Sequence, residues 1–439
     1  MNIKKKKSLQ YLIEVDKFFT SIIYKIEIVP LLGPLLFKLW RKLRSFARSI
    51  YIFFTKFQFP SKNPSKLITE DSLNTLIYVS PKDIVYVTQD GLLIKKDEGS
   101  ILRGNWDSLL KRFDDLNVFI AFKEVLIGQK NWEDTSYYQE ITTKLNSGET
   151  LWGCKNEKEF KDLCNKYSGL AQKLITSHES AKRDLFLQEI GEEIIINIGR
   201  HGDLLLYKGE HAFALAKVNG IEMIPVKIAF RHPDWMRFRK RYEKLAVGRG
   251  SEAYQPSLHP DLSHISAQQG SVERLEMINR NLSINEGRLL DLGANLGYFC
   301  IHFENQGFEC VAVENSPRFA YCLEGLKRSL NKNFTIITDS LLDSKEIIQE
   351  SFDVVLALNI FHHLLKRKET FQKLVLFLEH LECKEMYFEP HLFDDPQMAH
   401  SYINMHEEEF AEFVRQKLKL NQSEIIGRAS DNRPVYKIS

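Results

Sequence analysis

The 439-residue sequence predicts an α/β protein whose C-terminal part, residues 265–439, is a parallel sheet with helices on both faces. Three observations predict it. From Gln269 onward, strand-like and helix-like stretches alternate. A strand-like stretch at 288–292, apolar but for Arg288 and Asp291, runs directly into a turn carrying Gly293 and Gly297. Finally, 424–428 and 435–438, joined through Asp431-Asn432-Arg433-Pro434, read as a closing antiparallel hairpin.

Length predicts two or three domains, and the hydrophobic (44%) and charged (27%) fractions are those of a globular protein with a sizeable core. Charge is unevenly spread. Residues 1–60 hold twelve Lys/Arg against three Asp/Glu, a net +9, so the rest of the chain carries −7. Such a basic arm suits an anionic surface. Residues 35–57 predict an amphipathic helix, with Leu36, Trp40, Leu43, Ala47, Ile50, Phe54 and Phe57 on one face. That face can meet a membrane interface or pack on protein. No secretory signal and no spanning helix is expected, because the longest uncharged run in this region, 28–37, has two prolines. The six cysteines, Cys154, Cys164, Cys300, Cys310, Cys322 and Cys383, form no C-x-x-C pair. They predict a reducing compartment, no metal site and no disulfide framework. The expected location is cytoplasmic, with a peripheral membrane contact through 35–57 as an added option.

The remaining elements follow in order. Residues 57–66 read as a linker with two prolines. Residues 67–181 read as a mixed, mostly helical region, with short strands at 75–79 and 83–87, helices at 118–126, 137–145 and 157–175, and Trp106, Trp132 and Trp152 as core anchors. Residues 182–247 read as a compact α+β unit: strands at 193–198, 204–207 and 224–230, and helices at 210–218 and 233–245. The aperiodic Gly/Pro/Ser stretch 248–264 reads as a linker. Strands follow at 288–292, 309–314, 334–338, 352–359 and 385–389, and helices at 299–305, 317–330, 366–380 and 407–419.

The sharpest signal is Asp291-Leu292-Gly293-Ala294-Asn295-Leu296-Gly297. Gly293 lets a ligand approach the backbone, Gly297 lets the next helix pack closely, and Asn295 tolerates a left-handed conformation. The spacing is not that of a dinucleotide-binding turn, and Asp291 would repel a phosphate but hold an ammonium group or a water. Glu314, with Asn315 after it, ends the next strand about 20 residues on, the reach at which a carboxylate meets ribose hydroxyls. Asp339-Ser340 ends the third strand and can read an adenine edge, while Asn359 leads into Ile360-Phe361-His362-His363 after the fourth.

These four strand ends, in this order, resemble class I S-adenosylmethionine-dependent methyltransferases over about 170 residues. The resemblance implies a Rossmann-like seven-stranded sheet with an antiparallel last strand, and S-adenosylmethionine as cofactor. It implies that Asp291, Gly293, Asn295 and Gly297 cradle the methionine part, Glu314 with Asn315 binds ribose, Asp339 with Ser340 the adenine, and Asn359 the methionine or acceptor side. Asn295 stands where many members have glycine.

Methyl transfer displaces an activated carbon in line, so the protein mainly aligns the reactants. A general base is needed only for a protonated hydroxyl or amine acceptor, and the candidates are His362, His363, Glu389 and His391. The fourth strand is followed neither by an Asn/Asp-Pro-Pro-aromatic segment nor by Pro-Cys. Nucleic-acid amino groups and pyrimidine carbons are therefore disfavoured acceptors, and small-molecule, glycan or lipid-linked acceptors are expected.

The run Ile198-Gly199-Arg200-His201-Gly202, then Gly209-Glu210-His211-Ala212, then Ile224-Pro225-Val226-Lys227-Ile228 resembles the ParB/sulfiredoxin-like fold over about 60 residues. In that family the segment at 209–212 opens a phosphate-binding helix. Ala212 here replaces an arginine, so a nucleotide at Gly209–His211 and a scaffolding role both stay open, with Arg200 as a substitute cation. Arg231, Arg237, Arg239, Lys240, Arg241 and Lys244 form a basic cluster that suits a solvated face or, less readily, nucleic acid. The sequence therefore predicts a methyltransferase with an accessory N-terminal module. The alternative is a non-catalytic, nucleotide- or nucleic-acid-responsive scaffold.

Overall fold

The computed structural model describes residues 76–439 apart from 89–98, 109, 247–251, 269 and 343. The basic arm expected at 1–60, with its helix at 35–57, and the linker at 57–66 lie outside the described residues.

The first sheet contains β1 (Leu76–Val79), β2 (Tyr86–Thr88), β3 (Ser100–Ile101), β4 (Leu110–Arg112), β5 (Ile195–Ile198), β6 (Leu204–Lys208) and β7 (Ile224–Arg231). Its order is β1-β7-β5-β6-β2-β4, with β3 also pairing β7. Strands from both sides of residue 181 thus share one sheet. Ile196, Ile198, Leu206, Val226 and Ile228 are buried in one core with apolar residues of α1 (Asn117–Leu126), α2 (Ser136–Asn146), α3 (Glu157–Thr176) and α4 (Glu179–Glu189). The helix α5 (Glu210–Val218) is buried on every side from His211 to Ala216, which suits its lack of a polar stripe. The next helix, α6 (Pro233–Ala246), buries Trp235, Phe238 and Tyr242. Of the three tryptophans expected as anchors, only Trp132 is fully inside. Trp106 is half-buried, and Trp152, in a turn with φ +49°, is 38% exposed.

Residues 252–264, the described part of the stretch read as a linker, are built into the fold together with 265–268. Ala253 pairs with Ala267, and His259, Asp261 and Leu262 are buried.

The C-terminal part comprises α7 (Gly270–Asn281), β8 (Gly287–Leu292), α8 (Tyr298–Asn305), β9 (Phe308–Val313), α9 (Pro317–Ser329), β10 (Thr335–Ile337), α10 (Lys345–Ile348), β11 (Ser351–Leu358), α11 (Lys368–His380), β12 (Glu382–Glu389), α12 (Glu407–Leu418), β13 (Ser423–Arg428) and β14 (Pro434–Ile438). The strands form a seven-stranded sheet in the order β10-β9-β8-β11-β12-β14-β13. The first five are parallel, and β14 runs antiparallel to both β12 and β13. Alternate residues face opposite layers. Leu290, Leu292, Val311, Val355 and Met386 pack with Leu374, Phe377, Phe410 and Val414 of α11 and α12. Leu289, Cys310, Ala312, Val354 and Leu356 pack with Leu275, Phe299, Phe303 and Leu323 of α7, α8 and α9. Burial on both faces explains the near-continuous apolar strands.

The two sheets meet through α6 and α9. Leu296, Cys322 and Leu326 join the core that holds Trp235 and Phe238, and the Arg241 guanidinium lies 3.9 Å from the Tyr321 ring centre. All six cysteines are unpaired, and no helix among the described residues is long and apolar enough to cross a membrane.

Candidate active site

The chain leaves β8 toward β9 on one side, while β11 lies on the other, so the ends of β8 and β11 flank a switch in strand order. Asp291 pairs with Ala312 and with Leu356, and Leu292 with Val313. Open α/β sheets bind ligands in the crevice outside such strand ends.

The glycine turn folds back on β9, with Gly293 N–H and Ala294 N–H both donating to the Val313 carbonyl at 2.9 and 3.0 Å. Gly293, Asn295 and Gly297 have φ of +82°, +56° and +79°. Gly297 is demanded twice: by its backbone conformation, and because a Cβ there would come within 2.4 Å of Leu323 Cδ1. Asn295 takes the left-handed region that asparagine tolerates.

Glu314, at the end of β9, is buried and holds the turn in place. Its Oε2 accepts Asn295 N–H at 3.0 Å and its Oε1 accepts Ser316 N–H at 2.7 Å. Each oxygen keeps a lone pair for a further donor. Burial pushes the Glu314 carboxyl up, and the two N–H donors pull it back. Asp291 is buried, with the Cys300 thiol donating to Oδ2 at 3.7 Å. Burial pushes its carboxyl up to about 7, the thiol opposes this, and the Glu314 charge adds to it. The Oδ1 atoms of Asn295 and Asn359 are buried without a hydrogen-bond partner. Both suit a ligand N–H or O–H, since buried acceptors are rarely left unmet. Asn359, at φ +54°, accordingly carries a left-handed turn at the end of β11.

Asp291, Gly293, Asn295, Gly297 and Glu314 therefore come together, with Asn359 on the far side of the switch point. Asn315 is exposed beside Glu314. Asp339 and Ser340 follow β10, two strands from β8; Asp339 is exposed, and Ser340 Oγ accepts Leu342 N–H at 3.4 Å.

The four base candidates differ sharply. Glu389 is buried in an ion pair with Arg274, whose NH2 donates to Oε1 at 2.8 Å and whose Nε donates to Oε2; NH2 also reaches Asp431 at 2.8 Å. Burial lifts the Glu389 carboxyl and Arg274 pulls it back, while Glu389 holds the guanidinium above its ordinary value against burial. Both Glu389 oxygens are thus engaged. His391 is fully buried. Asn404 fixes its tautomer: the Asn404 amide N–H donates to the Phe393 carbonyl, so Oδ1 faces His391 Nε2 at 2.6 Å and that nitrogen carries the proton. His362 is 4% exposed, and burial, with repulsion from His363 when that is protonated and from Arg433 and Lys366, drives it down to about 3. His363 is exposed, its ring centre 3.9 Å from that of His362. Partial desolvation and Lys366 lower it, so it is a neutral imidazole at neutral pH and open to an acceptor.

Three further residues border the site and carry no sequence signal. Gln255 Oε1 accepts Leu296 N–H at 3.0 Å, and Tyr254 Oη lies 3.5 Å from Asn359 Nδ2. Both belong to the stretch read as a linker. The third, Arg274, lies on α7, a helix the sequence pattern leaves out.

In the N-terminal domain Gly209 opens α5 with φ +88°, and a Cβ there would meet the Glu193 carbonyl at 2.4 Å. The first-turn donor Ala212 N–H goes to Glu192 Oε2 at 3.0 Å. His211 is buried against Tyr137 Oη at 2.7 Å and stacked on Tyr167, and burial lowers it to about 3. The Arg200 guanidinium is held by Asp107, with Nε at 3.0 and 2.9 Å from its two oxygens. In the basic cluster, Arg231 and Arg239 are buried, whereas Arg237, Lys240, Arg241 and Lys244 are exposed.

Residues 290–380 match the family model described as a methyltransferase domain, which supports S-adenosylmethionine as the cofactor of this site. No curated protein matches the sequence. Among solved structures the chain is similar to WbdD, described as a bifunctional kinase-methyltransferase, at 18% identity and a TM-score of 0.36. That similarity covers 45% of this chain and 46% of WbdD, so the match spans about half the length of WbdD. It is also similar to the PH0226 protein from Pyrococcus horikoshii OT3 (16% identity, 39% of this chain and 92% of that one, TM-score 0.30). A third similar structure is magnesium protoporphyrin IX methyltransferase from Synechocystis PCC 6803 with bound S-adenosylmethionine (10% identity, 39% and 77%, TM-score 0.30).

Proposed function

We propose that the C-terminal domain is a class I methyltransferase that moves the methyl group of S-adenosylmethionine to a small-molecule, glycan or lipid-linked acceptor. The observation that carries this is the convergence of Asp291, the left-handed Gly293–Gly297 turn and Glu314 at the switch point, with buried, unmet acceptor oxygens on Asn295 and Asn359. When bound, the cofactor supplies an electrophilic methyl on a sulfonium, with a cationic amino-acid end. Asp291 and the Asn295 side chain would hold the ammonium, Glu314 the ribose hydroxyls, and Asp339 with Ser340 the adenine edge. Asn359 orients the methionine or acceptor side. His363, neutral and exposed, takes the proton of a hydroxyl or amine acceptor, while His362, His391 and Glu389 support the wall around it.

For the N-terminal domain we favour a scaffolding and acceptor-positioning role over nucleotide binding. The Glu192 carboxylate already meets the first turn of α5, Asp107 holds Arg200, and His211 is enclosed by aromatic rings. A carboxylate at that position repels a phosphate.

The test is transfer of labelled methyl from S-adenosylmethionine to a panel of glycosides, lipid-linked saccharides and small hydroxylated or amino metabolites. Labelling of one class that is lost in Asp291→Ala supports the reading. No labelling of any class, by a chain that binds the cofactor, favours the non-catalytic scaffold.

A further inference from the structure

Residues 252–268 connect α6 of the N-terminal domain to α7 and are fastened at two points, Asp261 to the N-terminal domain and Gln255 to the cofactor turn. At the first, Asp261 is 3% exposed and takes Nε and NH2 of Arg231 at 3.1 and 2.6 Å and the Trp235 indole N–H at 2.8 Å. Beside it, Asp261 N–H donates to His259 Nδ1 at 3.2 Å, so Nε2 carries the proton and donates to the Gly202 carbonyl at 2.9 Å. Burial lowers His259 below its ordinary value, in keeping with this neutral form. Strand β7, helix α6 and the β5–β6 turn therefore all hold this point. At the base of the segment, Ala253 N–H donates to the Ser266 carbonyl at 2.8 Å and Gln268 N–H to the Ala253 carbonyl at 2.9 Å, closing it into a loop.

At the second point Gln255, itself 3% exposed, accepts the N–H of Leu296, the residue between Asn295 and Gly297. Leu296 is 2% exposed, so water is not at hand to replace Gln255, and an unmet buried N–H is costly. The glycine turn is thus held from two directions: by Glu314 of its own sheet through Asn295, and by Gln255 through Leu296.

We propose that Gln255 is a positioning residue of the cofactor site. Anchored through Asp261, it sets the geometry of the glycine turn, and it makes the N-terminal domain a working part of the site rather than an appendage. The inference rests on the reading that this turn binds S-adenosylmethionine.

The test uses the full chain and titrates S-adenosylmethionine and S-adenosylhomocysteine calorimetrically, well below the melting temperature of each ligand-free variant. Gln255→Leu removes the acceptor and is expected to weaken both ligands about tenfold or more. Gln255→Glu keeps an oxygen at the same reach and is expected to restore affinity to within about threefold of the wild type. Where Gln255→Leu does not fold, Gln255→Asn, one methylene too short to reach Leu296, takes its place with the same expectation. A Leu or Asn variant that melts earlier yet binds both ligands as tightly as the wild type overturns the inference, because Gln255 is then only structural. A folded wild type that binds neither ligand overturns the cofactor reading itself, a result distinct from the first.

Discussion

Glu314 Oε2 accepts the backbone N–H of Asn295 at 3.0 Å, so the carboxylate that ends β9 holds the left-handed turn that ends β8. The two strand ends are one unit. A ligand that reaches the turn also reaches the carboxylate, and a change at either residue is felt by both.

The closest tolerance in that unit is at Gly297. Gly297→Ala forces a Cβ into a φ of +79° and against the buried Leu323 side chain. We expect a loss of about 2–4 kcal/mol in unfolding free energy, read from urea denaturation, together with weaker cofactor binding. Gly307→Ala has a similar φ of +101° but open space around it, and should cost only the backbone part of that loss, about 1–2 kcal/mol.

Asp291 gives a pH signature. Its folded pKa, about 7, lies above the ordinary 3.8. As pH rises through about 4 the unfolded chain loses this proton while the folded protein keeps it, so this group makes stability fall with pH until about 7 and adds no slope beyond. Asp291→Asn lacks the titration. The stability difference between wild type and Asp291→Asn should therefore shift in favour of the wild type, by on the order of a few kcal/mol, as pH is lowered from 7 to 4. A difference that stays constant over that range contradicts the assignment.

Arg274 and Glu389 join α7 to the end of β12, and Asp431 ties them to the β13–β14 turn. Glu389→Ala leaves the buried Arg274 guanidinium with only the part-exposed Asp431, so it should cost about 3 kcal/mol by urea denaturation. The single-turnover pH profile of any Glu389 variant that folds should keep the wild-type shape, because Glu389 is held as an ion pair rather than as a base.

His363 and His362 are neighbours with opposite expectations. His363→Ala should lower transfer to a hydroxyl or amine acceptor about 10²–10⁴-fold with cofactor affinity unchanged. His362, held at about 3 by burial, is neutral when folded but protonates near 6.5 when unfolded, so it removes stability as pH falls from 6.5 toward 3. His362→Gln should make the protein less acid-sensitive in that window and leave the pH dependence of transfer unaltered.

How much of this was legible in the sequence divides along physical lines. Largely apolar runs such as 289–292 and 354–358 announce strands covered on both faces, and glycines at 293 and 297 announce a tight turn between strand and helix, so the sheet and its ligand edge could be read directly. The antiparallel β13–β14 hairpin was legible from Asp431-Asn432-Arg433-Pro434. Pairings between distant residues were not. Gln255 meets Leu296 across 41 positions, Arg231 meets Asp261 across 30, and Arg274 meets Glu389 across 115. None has a periodicity to betray it. Gly, Pro and Ser in 248–264 signalled a linker, yet irregular backbone can be as firmly bonded as a helix when its side chains find buried partners. The strands β3 and β4 are two and three residues long, too short to alternate visibly, and the next strand of their sheet, β5, opens only at Ile195.

Binding of S-adenosylmethionine at Asp291 is tested most directly by calorimetric titration of the full chain with the cofactor, run at pH 7 in two buffers of different ionisation enthalpy, beside Asp291→Ala. Capture of the cofactor ammonium by Asp291 predicts micromolar binding and release of a fraction of a proton as the bound ammonium draws Asp291 into its charged form. It also predicts an affinity at least about tenfold weaker in the variant. A folded wild type that shows no binding, or an Asp291→Ala variant that binds as tightly and releases the same protons, contradicts it.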